Sequence, residues 1–349
     1  MSAVVLTGSA GALGRRVAAG LAASPNFDSI VCLDMVGGGA ATPPGCVEHR
    51  VDLLVDDLAP YFEGADTLVH LASVVGPDRD VDAGRDVELA RRVLAAADRA
   101  SIRHVVVMSS ATAYGARPDN PVPLTEDMPL APNTGFAFAD DKVEIERLAS
   151  DLGAAHPDTR VAILRPTTTL AEGEASWVAA ALTAAVGVRA GDVDPPVQFL
   201  HFDDLASATV LVAERRCGGV FNVAPDGWIP PDQMRALAGV PRPRVPAAVA
   251  RSLAALRWRL GISPAPPQVL PWVMHPWVVA NDRLRSEGWE PSYTNEEAYV
   301  AGTAPGPLQT LSPKRRQELA LGAVGLLAVL GAVAAVLGVR RLRRRRATR

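Results

Sequence analysis

The sequence predicts an α/β protein with a doubly wound, mostly parallel sheet, and three observations carry that prediction. Six short runs rich in β-branched residues alternate with stretches whose apolar residues recur three and four apart. A glycine-rich turn joins the first run to the first such stretch. The chain of 349 residues, 48% of them hydrophobic, is long enough for a substantial core. In order, the strand candidates are residues 3–6, 30–34, 47–51, 67–71, 105–109 and 161–164, and the helix candidates between them are 13–23, 87–100 and 140–152. Parallel neighbours need crossover connections of a dozen or more residues, which such helices supply.

After Arg165 and Pro166 the alternation fades. Residues 167–197 and the stretch from 225 to about 307 are rich in Pro, Trp and Arg, as expected of a loop-rich lobe that shapes a cleft over the sheet. The domain reading is therefore a nucleotide-binding domain of residues 1–166 and 198–224, and a smaller substrate lobe of 167–197 and 225–302. A linker (303–318), a transmembrane helix (319–339) and an Arg-rich tail (340–349) follow. Within the lobe, residues 247–260 place Val249, Leu253, Leu256 and Leu260 on one helical face, with Arg251, Arg257 and Arg259 elsewhere. Core packing is the expectation for that face, and a membrane-surface helix the alternative.

The formal net charge is −3, yet the last ten residues hold seven arginines, so the acidic excess belongs to the body and argues against nucleic-acid binding. Cys32, Cys46 and Cys217 lie far apart in no CxxC pattern, which points to neither a zinc site nor a disulfide framework and suits a reducing compartment. The N-terminus has no basic region before its short apolar run, so it does not read as a signal peptide, and the body is expected in the cytoplasm. Residues 319–339 are uncharged, and at 1.5 Å per residue they span about 30 Å, the thickness of a bilayer core. The arginine tail outweighs Lys314, Arg315 and Arg316 and favours the cytoplasmic side, in tension with a cytoplasmic body on a single span. The missing signal is expected to prevail.

The turn after the first strand reads Thr7, Gly8, Ser9, Ala10, Gly11, Ala12, Leu13, Gly14. In the Rossmann-type arrangement Gly8 permits the tight turn, Gly11 lets backbone approach a pyrophosphate, and Gly14 lets the helix pack against the sheet, while the helix N-terminus offers free N–H groups to the anion. Asp34 ends the second strand some 20 residues on, where its carboxylate accepts hydrogen bonds from an adenosine ribose. This favours NAD over NADP, the alternative being a 2′-phosphate drawn by Arg15 and Arg16.

In these residues the sequence resembles the extended short-chain dehydrogenase/reductase family, the NAD-dependent nucleotide-sugar epimerases and dehydratases. Residues 7–14 are similar to its TGxxGxxG, Asp52 and Leu53 to its adenine-contacting pair, and His70, Leu71, Ala72 and Ser73 to its HLAA segment. Residues 109–115 resemble the SSxxxYG stretch, which makes Ser110 the catalytic serine and places Tyr114 near the nicotinamide. Leu164, Arg165 and Pro166 resemble its LRP, residues 199–206 its HVDDxA, Phe221, Asn222 and Val223 its YNV, and residues 283–291 its LGWxP. The resemblance implies that Pro166 and Lys142 contact the cofactor, that Asp203 and Asp204 brace the cleft through Arg165 rather than bind a metal, and that a homodimer is to be expected.

The family's YxxxK motif falls on residues 138–142, and here phenylalanine stands at the tyrosine position, Phe138, with Lys142 retained. Spacing of four keeps the two on one helical face, but a phenyl ring carries no proton. Losing a positioned acid or base typically costs about 10² to 10⁴ in rate. Asp140 and Asp141 lie off that face and read as helix-dipole partners. Three readings stay open: a membrane-anchored NAD(H)-binding pseudoenzyme or redox sensor, an active epimerase, dehydratase or hydroxysteroid-type dehydrogenase using Ser110 and Lys142, and a scaffold without cofactor. A small-molecule substrate, either a nucleotide sugar or lipid-like, belongs to the second, and Trp258, Trp272 and Trp277 give the lobe an apolar character.

Overall fold

The computed structural model describes residues 2–37, 43–73, 84–175, 177–186, 189–190, 194–238, 244–263 and 265–303, all within one compact unit. Strand β1 (Ala3–Thr7) leads into α1 (Ala12–Ala23), followed by β2 (Ser29–Asp34), β3 (Cys46–Arg50), the short α2 (Ala59–Phe62), β4 (Thr67–His70) and α3 (Arg85–Arg99). Next come β5 (His104–Met108), α4 (Ala137–Ala155), β6 (Arg160–Pro166), β7 (Thr168–Ala171), β8 (Glu174–Ala175), α5 (Trp177–Val186), β9 (Arg189–Ala190), β10 (Phe199–His201), α6 (Phe202–Arg215) and β11 (Gly219–Val223). The chain continues through α7 (Pro231–Ala238), β12 (Arg244–Val245), α8 (Ala247–Arg259), α9 (Leu270–Met274), α10 (Asp282–Ser286) and α11 (Asn295–Gly302).

Seven strands form one parallel sheet in the order β11-β6-β5-β4-β1-β2-β3. All six strands read from the sequence are there, with bounds moved by a residue or two, and β11 adds a seventh. Helices cover both faces, so the central strands β1, β4 and β5 are buried almost along their whole length rather than alternately, whereas the edge strand β3, which carries Glu48, His49 and Arg50, is not. In β1, Val4 and Leu6 pack under α1 and α6, whereas Val5 faces the opposite cluster built with Leu89, Val93 and Ile145 of α3 and α4. Strand order reverses between β1 and β4, and at such a switch point the loops beyond the strand ends part to leave a crevice.

The lobe is less loop-like than its composition suggests. Strand β7 pairs in parallel with β10 and antiparallel with β8, and β9 pairs with β12. Residues 199–201 thus belong to a lobe sheet and not to the main one. A capping box between Thr294 and Glu297 starts α11.

Helix α8 corrects the core-packing expectation. Val249, Leu253, Leu256 and Leu260 are 54%, 42%, 52% and 61% exposed, whereas Ala250 is buried and Ala247, Ala254 and Trp258 are partly so. The helix carries two apolar stripes, and the one built mainly of alanines faces the body because small side chains let its backbone sit close. Among the described residues no helix is long and apolar enough to cross a membrane; the expected span 319–339, the tail 340–349 and all of the linker but Thr303 lie outside them.

Candidate functional site

Two cavities of ≈ 490 and ≈ 240 Å³ meet at the crevice and share Gly8, Gly11, Leu71 and Ser73 in their walls. The turn between β1 and α1 separates them. Gly8 has φ +75, and a Cβ there would come within 2.7 Å of the Ala72 nitrogen. A Cβ on Gly14 would lie 2.0 Å from the Gly8 carbonyl oxygen, so this glycine packs the helix against its own turn rather than against the sheet. Gly11 differs: its φ of −66 suits any residue, and a Cβ would meet only the Gly8 oxygen at 3.4 Å. Its missing side chain opens onto both cavities, where one would fill the cradle at the start of α1.

The smaller cavity is lined by Asp34, Asp52, Leu53 and Ala72, as well as by the shared residues. The Asp34 carboxylate accepts from the backbone N–H of Ala10 at 3.0 Å and of Val36 at 3.1 Å, tying β2 to the glycine turn, and each oxygen keeps room for another donor. Asp52 accepts from the Leu54 N–H at 2.9 Å, which closes the loop after β3 under this cavity. Arg15 and Arg16 do not reach it. Both pair with Glu174, at 2.7 and 2.5 Å, and Arg16 also holds Asp203 at 2.6 Å.

The larger cavity holds Ala12, Leu13, Gly14, Leu71, Ser73, Ser110, Phe138, Lys142 and Pro166. Ser110 caps a single 3-10 turn after β5; its Oγ accepts from the Thr112 N–H at 3.2 Å and from the Thr112 hydroxyl at 2.9 Å, which leaves its own O–H to donate. Phe138 stands in the first turn of α4, with Lys142 one turn on as the spacing requires. The Lys142 Nζ is 5.3 Å from the Phe138 ring centroid, 3.5 Å from the Met108 carbonyl and 4.0 Å from the buried Asp86 carboxylate. Burial lowers the pKa of this ammonium, and Asp86, Asp141 and Glu146 pull it back up. Asp86 in turn accepts from the Ser73 hydroxyl at 2.6 Å. Asp141 accepts from the Gly84 N–H at 3.3 Å and is raised by burial, and neither it nor Asp140 lines the cavity.

Beneath the site runs a buried polar network. Arg165 grips the Glu146 carboxylate, with Nη2 to Oε2 at 2.6 Å, and donates to the Tyr114 hydroxyl at 2.7 Å, while that hydroxyl donates to Asn222 at 2.8 Å and Ser109 donates to Glu146 at 2.5 Å. Two expectations are corrected here. Arg165 is braced by Glu146 and not by Asp203 or Asp204; Asp204 instead accepts from the Ser292 and Tyr293 N–H groups at 2.8 and 3.0 Å. Tyr114, expected near the nicotinamide, is buried in this network and lies outside the cavity walls. His70 is buried against the Thr7 hydroxyl at 2.8 Å, and burial, then the Lys142 charge, hold its imidazole down at about 3.

The chain matches the NAD dependent epimerase/dehydratase family over residues 4–224, close to two thirds of its length. It belongs to that family. An uncharacterized protein of Mycobacterium tuberculosis is 28% identical over 338 residues, covering 93% of this chain and 89% of its own. Among solved structures, MoeE5 in complex with UDP-glucuronic acid and NAD superposes with a TM-score of 0.64 at 21% identity, covering 86% of this chain and 97% of its own. A dTDP-glucose 4,6-dehydratase from Streptomyces venezuelae, a double mutant with NAD bound, gives 0.63 at 19%, with 86% and 95% covered. A Tyr-to-Phe variant of UDP-glucuronic acid 4-epimerase from Bacillus cereus, in complex with a fluorinated UDP-glucuronic acid and NAD, gives 0.62 at 16%, with 86% and 97% covered. At these identities the structures establish the shared fold. Asp86, Glu146 and Thr112 also build the site and match no motif in the sequence; the one local signal is Glu146, one turn beyond Lys142 on α4.

Proposed function

We propose that this family member binds NAD(H) across the Gly8 to Gly14 turn and that Phe138 impairs proton transfer at an otherwise assembled site. One observation carries the reading: Phe138 lines the larger cavity with its ring centroid 5.3 Å from the Lys142 ammonium, and a phenyl ring can neither take up nor give a proton. The cradle at Gly11 fits a pyrophosphate, Asp34 a ribose diol, and Asp52 and Leu53 line the adenine end. Arg15 and Arg16, held by Glu174 and Asp203, leave the Asp34 carboxylate to repel a 2′-phosphate, in favour of NAD over NADP. Family membership and the NAD in the three structural relatives support the same cofactor. A Tyr-to-Phe variant among them was captured with NAD, so loss of a phenol hydroxyl is compatible with keeping the dinucleotide.

A dinucleotide in this site would supply hydride transfer to or from a substrate carbon. Lys142 would hold its nicotinamide ribose, and the O–H of Ser110 would be free to donate to a substrate oxygen. Phe138 has no proton to move. In the fuller reading, residues 319–339 anchor the protein to a membrane, the body lies in the cytoplasm, and the bound NAD or NADH serves as a structural element or redox signal to a partner, with a homodimer through the body helices. A second reading, an active nucleotide-sugar epimerase or dehydratase in which Ser110 or a water carries the proton, draws support from the UDP-glucuronic acid bound to MoeE5.

Calorimetric titration of the full chain with NAD, NADH, NADP and NADPH tests the binding step. The expected result is binding of NAD or NADH that Gly11→Asp abolishes without unfolding the protein. No dinucleotide binding to folded protein overturns both readings.

A further inference from the structure

We propose that α8 is a docking helix for an anionic lipid surface, with its outer stripe seated where headgroups meet acyl chains. Among the described residues twelve large apolar side chains are exposed, and five of them, Val249, Leu253, Leu256, Leu260 and Ile262, fall within fourteen consecutive positions. At 3.6 residues per turn the four on the helix lie within about 40° of one line along it. On the same projection Arg257 and Arg259 flank that line at roughly 80° to either side. Both arginines are exposed, and residues 244–263 contain four arginines and no carboxylate. A narrow apolar stripe bordered by guanidinium groups is the pattern of a helix lying in the membrane interface: the apolar side chains leave water and the long basic side chains reach the phosphates.

The occupant follows from the charge. A second copy meeting this face across a twofold axis would bring two patches that each carry Arg257 and Arg259 together, a concentration of like charge that an acidic lipid surface neutralises. Chain length places such a surface within reach. Helix α11 ends at Gly302, and the sixteen residues before position 319 extend at most about 55 Å, so a span at 319–339 keeps the body next to the bilayer. The proposal takes only this proximity from the membrane-anchor reading.

The test uses the full chain reconstituted into phosphatidylcholine vesicles with or without phosphatidylglycerol. An environment-sensitive fluorophore is attached at Leu256→Cys in a Cys46→Ser background, since Cys32 and Cys217 are buried. A control label sits at Asp151→Cys on the exposed side of α4. The expected result is a blue-shifted Leu256→Cys label quenched by lipids brominated in their acyl chains, strongest with phosphatidylglycerol, and a wet control label. The pair R257Q and R259Q should remove more than half of that quenching. A label that stays wet overturns the proposal, as does one that is blue-shifted but unmoved by bromolipid, which marks a face covered by protein. Flotation reads the anchor separately: vesicles that carry the chain while the label stays wet keep the anchor and overturn docking by α8. Binding that depends on phosphatidylglycerol and is lost in the double variant keeps α8 and overturns the anchor.

Discussion

Replacing Phe138 with tyrosine places a phenol hydroxyl in the larger cavity, on the ring that Lys142 already faces at 5.3 Å. At an effective dielectric constant of about 20, a unit charge at that distance stabilises a phenolate by about 3 kcal/mol, a little over two pK units. Asp86, 4.0 Å from the same Nζ, cancels part of that field, so a lowering of about one to two units should survive. Phe138 is only half-buried and borders open cavity, which keeps the opposing desolvation small. The introduced phenol should therefore titrate at about pH 8 to 9 in place of the ordinary value near 10. An ultraviolet difference titration of variant against native protein isolates this one group, because the four native tyrosines subtract. Adding Lys142→Met should return the midpoint to about 10 or above. A phenol that titrates at about 10 with Lys142 in place refutes the reasoning, since the ring would then not feel the lysine. If the substrate is identified, the same substitution should raise turnover by about 10² to 10⁴.

Four further outcomes follow from packing and burial. Gly14→Ala, whose Cβ would sit 2.0 Å from a backbone oxygen, should cost about 1–3 kcal/mol in urea unfolding. Gly11→Ala, with nothing nearer than 3.4 Å, should unfold within about 0.5 kcal/mol of the native protein yet bind NAD more weakly in calorimetry. Arg165→Met strands the Glu146 carboxylate in the buried network and should cost about 3–5 kcal/mol by the same assay, with Glu146→Gln added to it recovering part of the loss. For His70 the folded imidazole stays neutral down to about 3, whereas the unfolded one takes up a proton below its ordinary value, so the unfolded state gains protons as pH falls. Stability should then drop by about 1.4 kcal/mol per pH unit from roughly pH 6 to 4, and His70→Asn should remove that one-proton slope from urea unfolding measured against pH.

The nucleotide-binding half was legible because its signals are local. A parallel strand buried on both faces must be a continuous apolar run, so 3–6, 30–34 and 161–164 announced themselves. A turn that brings backbone against backbone at Gly8 and Gly14 tolerates no side chain, so the glycine spacing carried geometry in one dimension. The i, i+4 relation of Phe138 and Lys142 is likewise a property of any helix and survived into the structure.

What only the tertiary structure decided concerns pairs distant in sequence and the choice between equivalent faces. Asp86 beside Lys142 and Glu146 under Arg165 depend on how α3, α4 and β6 come together, and nothing in the local pattern distinguishes a buried carboxylate from a solvated one. Sequence pattern alone therefore pairs Arg165 with Asp203 and Asp204 where the fold gives it Glu146, and it does not show that Glu174 holds Arg15 and Arg16. Helix α8 shows the same limit on a single element. Periodicity identified its apolar stripe at Val249, Leu253, Leu256 and Leu260, but which stripe meets the body depends on how closely the backbone can approach, and the alanine side took that place.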